Sequence, residues 1–264
     1  MGWLKAFIPQ HLSNERLLGI LDILTYLKIS KRKGIINRRA NAETLKKAFP
    51  PGESLYAPGK YIENQPQWKQ IRFGRFTMDY SGCEIIATYN AILSLGETLP
   101  EQGITDLIGA YEKKGAVLWG GWGVSPRAIY RYFMERGYDT AMTFSTAPED
   151  IDRMGEESKT VIITVYNDAR DITKQIHTMN VSKAGQNAFV LHNCYRRDRD
   201  GSYIMGAPHA SLWETIKSLG GGKAMPICII GINPQSNSLF AEQPILQPPS
   251  GLPVSGLCQQ KVRQ

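Results

Sequence analysis

Cysteine is scarce in this 264-residue chain, and long apolar runs and repeated segments are missing from it. The four cysteines, Cys83, Cys194, Cys228 and Cys258, show no C-x-x-C pairing. That removes the ligand spacing of a zinc site, and four thiols are too sparse for the disulfide framework of a small secreted domain. No metal or cofactor is expected on this basis. No stretch approaches the roughly 18 apolar residues of a membrane span. The opening MGWLKAFIPQHLS lacks the apolar core and small-residue cleavage site of an export signal, so a cytoplasmic location is expected, with export by a route that leaves no such signal still open. No nucleic-acid-binding motif is recognisable, and a nucleic-acid partner is not expected.

What is present is an ordinary globular composition, 42% hydrophobic and 21% charged, enough to bury a sizeable core. The net charge of +7 is local. Residues 28–47 (KISKRKGIINRRANAETLKK) hold eight bases and one acid, a surplus equal to that of the whole chain. This segment reads as a solvated loop or helix face, with contact to an acidic surface as the alternative. Before it, Leu17 to Leu27 reads as an apolar helix, interrupted by Asp22, that packs on the main domain, with a membrane-surface or partner helix as the alternative. A turn-rich connector (FPPGESLYAPGK) follows. Three regions are expected: a helical and basic extension over 1–60, a main domain over 61–232, and a proline-rich, loose tail over 233–264.

Within the main domain, apolar residues at Ile85, Ile86, Tyr89, Ile92 and Leu93 have the spacing of a buried helix. A second helix is expected over 104–114, and a third begins with Ser125 as N-cap and Pro126 as first residue, stopping at Gly137. Short β-rich runs follow at 138–144, 160–166, 175–182, 187–194, 202–205 and 226–232, with a helix near 209–218 between the last two. Helices first and an antiparallel sheet afterwards make the class α+β.

Cys83 stands where this pattern has chemical content. Ser81-Gly82-Cys83-Glu84 fits an S-x-x-E capping box, which would make Cys83 the second residue of its helix. There it would face unpaired backbone amides and the positive end of the helix dipole, an environment that favours the thiolate. Gly82 would let a substrate backbone approach. A buried structural thiol is the competing reading. Cys194 and Cys228 lie in apolar strand runs, and Cys258 lies in the tail.

A nucleophile needs a base. Of the four histidines, His11 lies in the N-terminal arm and His209 starts a late helix, whereas His177 and His192 sit on two strands joined by a short connection. With a three-residue loop, Ala184-Gly185-Gln186, Val181 faces Phe189, Met179 faces Leu191 and His177 faces Asn193. One face is then apolar except for an imidazole opposite a carboxamide. The other (Thr178, Asn180, Ser182, Ala188, Val190, His192) is mixed and suits a wetter side. Opposed side chains have Cβ atoms roughly 5 Å apart, so Asn193 could accept from one ring N–H of His177 and leave the other nitrogen for a thiol. A core histidine satisfied by a neighbouring asparagine is the alternative.

With these residues in place, the chain from about Gly74 to Ile232 resembles the papain-like cysteine peptidases, and among them the bacteriocin-processing (double-glycine leader) peptidases and their relatives. SGCEIIATYNAILSLG resembles the family's nucleophile helix, GGWGVSPRAIYRYFMERGY its glycine-rich turn and second helix, TVIITVYN the strand before the active-site hairpin, and IHTMNV the strand of the catalytic histidine. The resemblance implies a triad of Cys83, His177 and Asn193, a peptide or protein substrate, and hydrolysis of an amide through a thioester. An acyltransferase using the same residues and a silent peptide-binding domain are the alternatives. One departure stands out. The family places a Gln about six residues before the cysteine as an oxyanion donor, and here that position is Thr77. The hole would rest on the Cys83 amide with Thr77, Tyr80 or Ser81, where losing one donor typically costs ~100- to 1,000-fold in rate.

Overall fold

A computed structural model describes residues 13–46, 57–100, 102–168, 176–185 and 187–235. His11, Cys258, most of the 49–60 connector, Gln186 and the tail beyond residue 235 lie outside the described residues. The chain is mixed α+β, with helices and a five-stranded antiparallel sheet.

Two helices come first. In α1 (Asn14–Leu24) Ser13 caps the amide of Arg16, and Leu17, Leu18 and Leu21 enter the same core as the helix that follows Cys83. Asp22, which breaks the apolar run, is an anchor: it accepts from Ser125 Oγ at 2.6 Å and lies 3.4 Å from Arg127 Nε. The basic segment forms α2 (Lys31–Lys46), which has no apolar seam. Its buried residues are Asn37 and Asn41. Asn37 donates to the Gly74 carbonyl and to Glu112, and Asn41 exchanges two bonds with the backbone of Arg72. Lysines and arginines take the outer side, so the face reading of 28–47 describes most of the segment.

A two-residue hairpin, β1 (Arg72–Phe73) and β2 (Phe76–Thr77), leads into a single turn, α3 (Met78–Ser81), and then α4 (Cys83–Ser94). α4 lies across the sheet with Ile85, Ile86 and Tyr89 buried, as its spacing requires. α5 (Gly103–Lys114) and α6 (Pro126–Met134) complete this layer; α6 starts at Pro126 after Ser125, as its sequence indicates. Strands β3 (Asp139–Thr143), β4 (Thr160–Tyr166), β5 (Ile176–Gly185), β6 (Ala188–His192) and β9 (Met225–Asn233) form the sheet, in the order β3-β9-β4-β5-β6. β7 (Arg196–Arg197) and β8 (Tyr203–Ile204) make a small separate hairpin. The far face of the sheet is covered by α7 (Pro148–Glu157) and α8 (Leu212–Lys217) through Ile151, Leu212 and Ile216. Covered on both sides, β4 is buried at every position, Ile162 facing the first core and Ile163 the second. Among the described residues no helix is long and apolar enough to cross a membrane.

Two local expectations are corrected. The β5–β6 hairpin pairs Val181 with Leu191 and Lys183 with Phe189, two residues away from the register expected above, because an irregularity between Lys183 and Gly185 absorbs extra chain at the turn. A slip of two preserves which face each side chain takes, so Met179, Val181, Phe189 and Leu191 still share the apolar side. The opposite face is not wet. Asn180, Ser182 and His192 are buried, and Ser94 of α4 donates to Asn180 Oδ1 at 3.0 Å.

The capping box is also absent. Ser81 ends α3, and its hydroxyl donates to the Thr77 carbonyl at 3.3 Å; Gly82 occupies the N-cap with no side-chain bond, making Cys83 the first residue of α4. The chain enters α4 from a helical turn rather than from the extended conformation that an N-cap serine needs. The glycine at 82 answers to packing: a Cβ there would lie 2.6 Å from the Met78 carbonyl oxygen and from its sulfur.

Candidate active site

The start of α4 opens onto a cleft of about 290 Å³. Cys83, Glu84, Tyr80 and Trp122 stand around one part of it, and Leu17, Leu18 and Leu21 of α1 with Ile176 and Ile227 of the sheet form apolar walls. The Cys83 sulfur lies 3.2 Å from Glu84 Oε2 and accepts the backbone N–H groups of Thr178 and Glu84. Since Thr178 follows His177, β5 is held against the sulfur at the residue next to the histidine. The thiol does not have the low pKa expected from its helix position. Burial first, then the charge of Glu84, push it well above the usual thiol range, and the two amides pull it down by less.

His177 is buried, with Nε2 2.8 Å from the Asn193 carbonyl oxygen. A carbonyl can only accept, so Nε2 carries the proton and Nδ1 keeps its lone pair. Burial lowers this imidazole to about 4, opposed by the bond to Asn193, and its ring stacks on Tyr195 with centroids 4.6 Å apart. The orienting partner is therefore the expected residue acting through its main chain. The Asn193 carboxamide instead donates to Gln65 Oε1 at 2.7 Å, and its Oδ1 is buried without a bond. The sulfur bonds to Glu84 and the imidazole to Asn193, and neither His177 nor Asn193 is among the residues that line the cleft.

Asn193 has φ of 60°, in the left-handed region that asparagine enters more readily than most residues. Glu63 clamps it there. One carboxylate oxygen accepts the Asn193 amide and the other meets His192 Nδ1 at 2.6 Å, while His192 Nε2 meets Ser182 Oγ at 2.8 Å and Tyr61 stacks on the ring at 3.9 Å. Gln65 ties this region to the approach to α4: its Oε1 also accepts from Tyr195 OH at 3.1 Å, and its Nε2 donates to the carbonyls of Met78 and Asp79. Glu63 and Gln65 lie in the polar run YIENQPQ, which gives no periodic signal and reads as loop.

Of the three oxyanion candidates, Tyr80 and Ser81 line the cleft with Cys83, and Thr77 does not. The Ser81 hydroxyl already donates to Thr77, and Tyr80 is 59% exposed, its ring stacked on Phe76. The Cys83 amide is among the first four of α4, which lack acceptors within the helix. No group of three or more His, Cys, Asp or Glu side chains suited to a metal gathers among the described residues. Compared with protein-family models and with curated proteins, the sequence matches none.

Proposed function

We propose that this chain is a papain-like cysteine peptidase or amidase in which Cys83 attacks a carbonyl carbon to form a thioester. His177 moves protons between sulfur, leaving amine and water, and Asn193 fixes the imidazole. The observation that carries this reading is the position of the sulfur: it opens onto a cleft while bonded by the amide next to His177. The Nε2-protonated tautomer set by Asn193 supports it, because a free Nδ1 is what a base requires. The mostly apolar cleft suits a peptide or peptide-like acyl group. The sulfur and imidazole rest as a neutral pair, since burial raises one and lowers the other, so ionisation belongs to the bound complex.

Intact-mass measurement after exposure to a peptidyl vinyl sulfone tests the proposal. One adduct on Cys83 is expected, and none in Cys83→Ala. Labelling no faster than at Cys194 would sink it. It would favour the second reading, a peptide-binding domain without turnover, to which the neutral thiol and the missing upstream Gln both lend weight. Transfer of the acyl group to an amine or thiol uses the same residues and is distinguished by the product.

A further inference from the structure

Among the described residues Glu84 is the one carboxyl bonded to the sulfur, and no step above employs it. It is buried against the cleft, with Oε2 3.2 Å from Cys83 Sγ and the Val124 amide donating to the carboxylate. The loop opposite is shaped around it: Gly123 has φ of +73°, and a Cβ there would lie 2.5 Å from Glu84 Oε1. The titratable groups facing Glu84 are the Cys83 thiol on its own helix, Tyr111 from α5 and Tyr195 beyond β6, with Tyr80 and Tyr166 also on the cleft. None of these is a cation, so the carboxylate has no ion-pair partner among them and its natural proton donor is the thiol.

We infer that Glu84 is a second catalytic residue, the group that accepts the proton of Cys83. The inference rests on Cys83 being the nucleophile and gives Glu84, in place of His177, the proton transfers at sulfur and at the leaving amine, leaving His177 the activation of water. The S–H bond breaks with its electron pair left on sulfur, and the proton moves to Oε2; the pair keeps a single negative charge throughout. That electron pair forms the C–S bond while the carbonyl π pair moves to oxygen. The oxyanion pair re-forms the C=O bond as the C–N bond breaks with its pair left on nitrogen, which takes the proton from the Glu84 carboxyl. His177, neutral and with Nδ1 free, then takes a proton from the water whose oxygen bonds to the thioester carbon. When the C–S bond breaks with its pair on sulfur, the imidazolium returns that proton to the thiolate. Burial pushes the Glu84 carboxyl up to about 7, which suits proton exchange near neutrality. The thiol and carboxyl titrate as a coupled pair.

Alkylation of Cys83 by iodoacetamide, followed by intact mass from pH 5 to 9.5, tests the inference on the full chain. In the wild type the rate rises through about pH 7 as the pair loses its first proton, then levels off. In Glu84→Gln the charge that opposes the thiolate is gone, so alkylation climbs without a break to pH 9 and passes the wild type above about pH 7. Addition to the peptidyl vinyl sulfone, which needs a proton delivered to carbon, is instead at least about tenfold slower. A Glu84→Gln alkylation profile equal to the wild type, or vinyl sulfone addition at the wild-type rate, overturns the assignment. Should that variant fail to fold, infrared difference spectra of the wild type decide. A protonated carboxyl band that titrates near 7 and shifts on alkylation of Cys83 supports the pair, and a band that ignores alkylation overturns it. Because alkylation needs no amide substrate, a chain that labels as expected yet forms no adduct with the peptidyl vinyl sulfone sinks the peptidase proposal alone.

Discussion

At the scale of single residues, the site is a set of buried groups whose protonation opposes that of the unfolded chain, and this fixes a pH signature. His177 is held at about 4 against an ordinary value of 6.5. Between those values the unfolded chain binds more protons, so stability falls as pH is lowered from 6.5 to 4. Glu84, raised from 4.5 to about 7, acts in the opposite sense: the folded chain binds more protons there, and stability falls as pH rises from 4.5 to 7. Each effect is on the order of 3 kcal/mol. Melting temperatures across this range should show His177→Gln losing less stability than the wild type on acidification, and Glu84→Gln losing less as pH rises. A slope of the other sign in either variant contradicts the burial. Glu63 gives a second prediction. Its two oxygens serve two donors, and Gln offers one acceptor and a clashing amide. Glu63→Gln should therefore cost about 1–3 kcal/mol in urea unfolding.

At the scale of elements, α2 shows how a helix without an apolar seam can dock. Asn37 satisfies the Gly74 carbonyl and shares Glu112 with the Gly74 amide, so its side chain stands in for packing. Asn37→Ala should lower stability by about 1–3 kcal/mol, against no more than about 0.5 kcal/mol for the exposed Arg39→Ala in the same helix, both read from urea midpoints. The elements also show what the sequence could reveal. α4, α6 and the two faces of the β5–β6 hairpin were legible, because apolar spacing records burial directly. The hairpin register was not, since an irregularity changes partners by two without changing faces. α7 turns only Ile151 and Met154 of an acidic run toward the core, too few apolar positions to mark a helix. The position of Cys83 at a helix start and the closeness of His177 to Asn193 were legible from residue type and pattern. Glu63 and Gln65 were not, because polar residues in an irregular segment gain meaning only once distant backbone groups meet them. Glu84 was visible but misassigned: a glutamate one turn into a helix suits a cap as well as a neighbouring thiol, and only the turn at Ser81 separates the two.

At the scale of the whole molecule, the charge is carried apart from the chemistry. The surplus of residues 28–47 equals the net +7, and Lys31, Arg32, Arg39 and Lys46 lie on the exposed side of α2. Replacing these four with Gln should alter stability by about 0.5 kcal/mol or less per site and leave Cys83 alkylation unchanged. It should also lower the salt needed to elute the chain from heparin, the expected mark of contact with an acidic surface. Elution at the same salt would separate the segment from any such role.

The apolar wall that α1 contributes has one more implication. Residues 17–21 and the sulfur of residue 83 are far apart along the chain, and Asp22, through Ser125 and Arg127, fastens the helix in place. The cleft is thus a product of tertiary assembly. Loosening that fastening would leave the sulfur where it is while taking away one apolar wall, which under the proposed function trades selectivity among acyl groups for ease of entry.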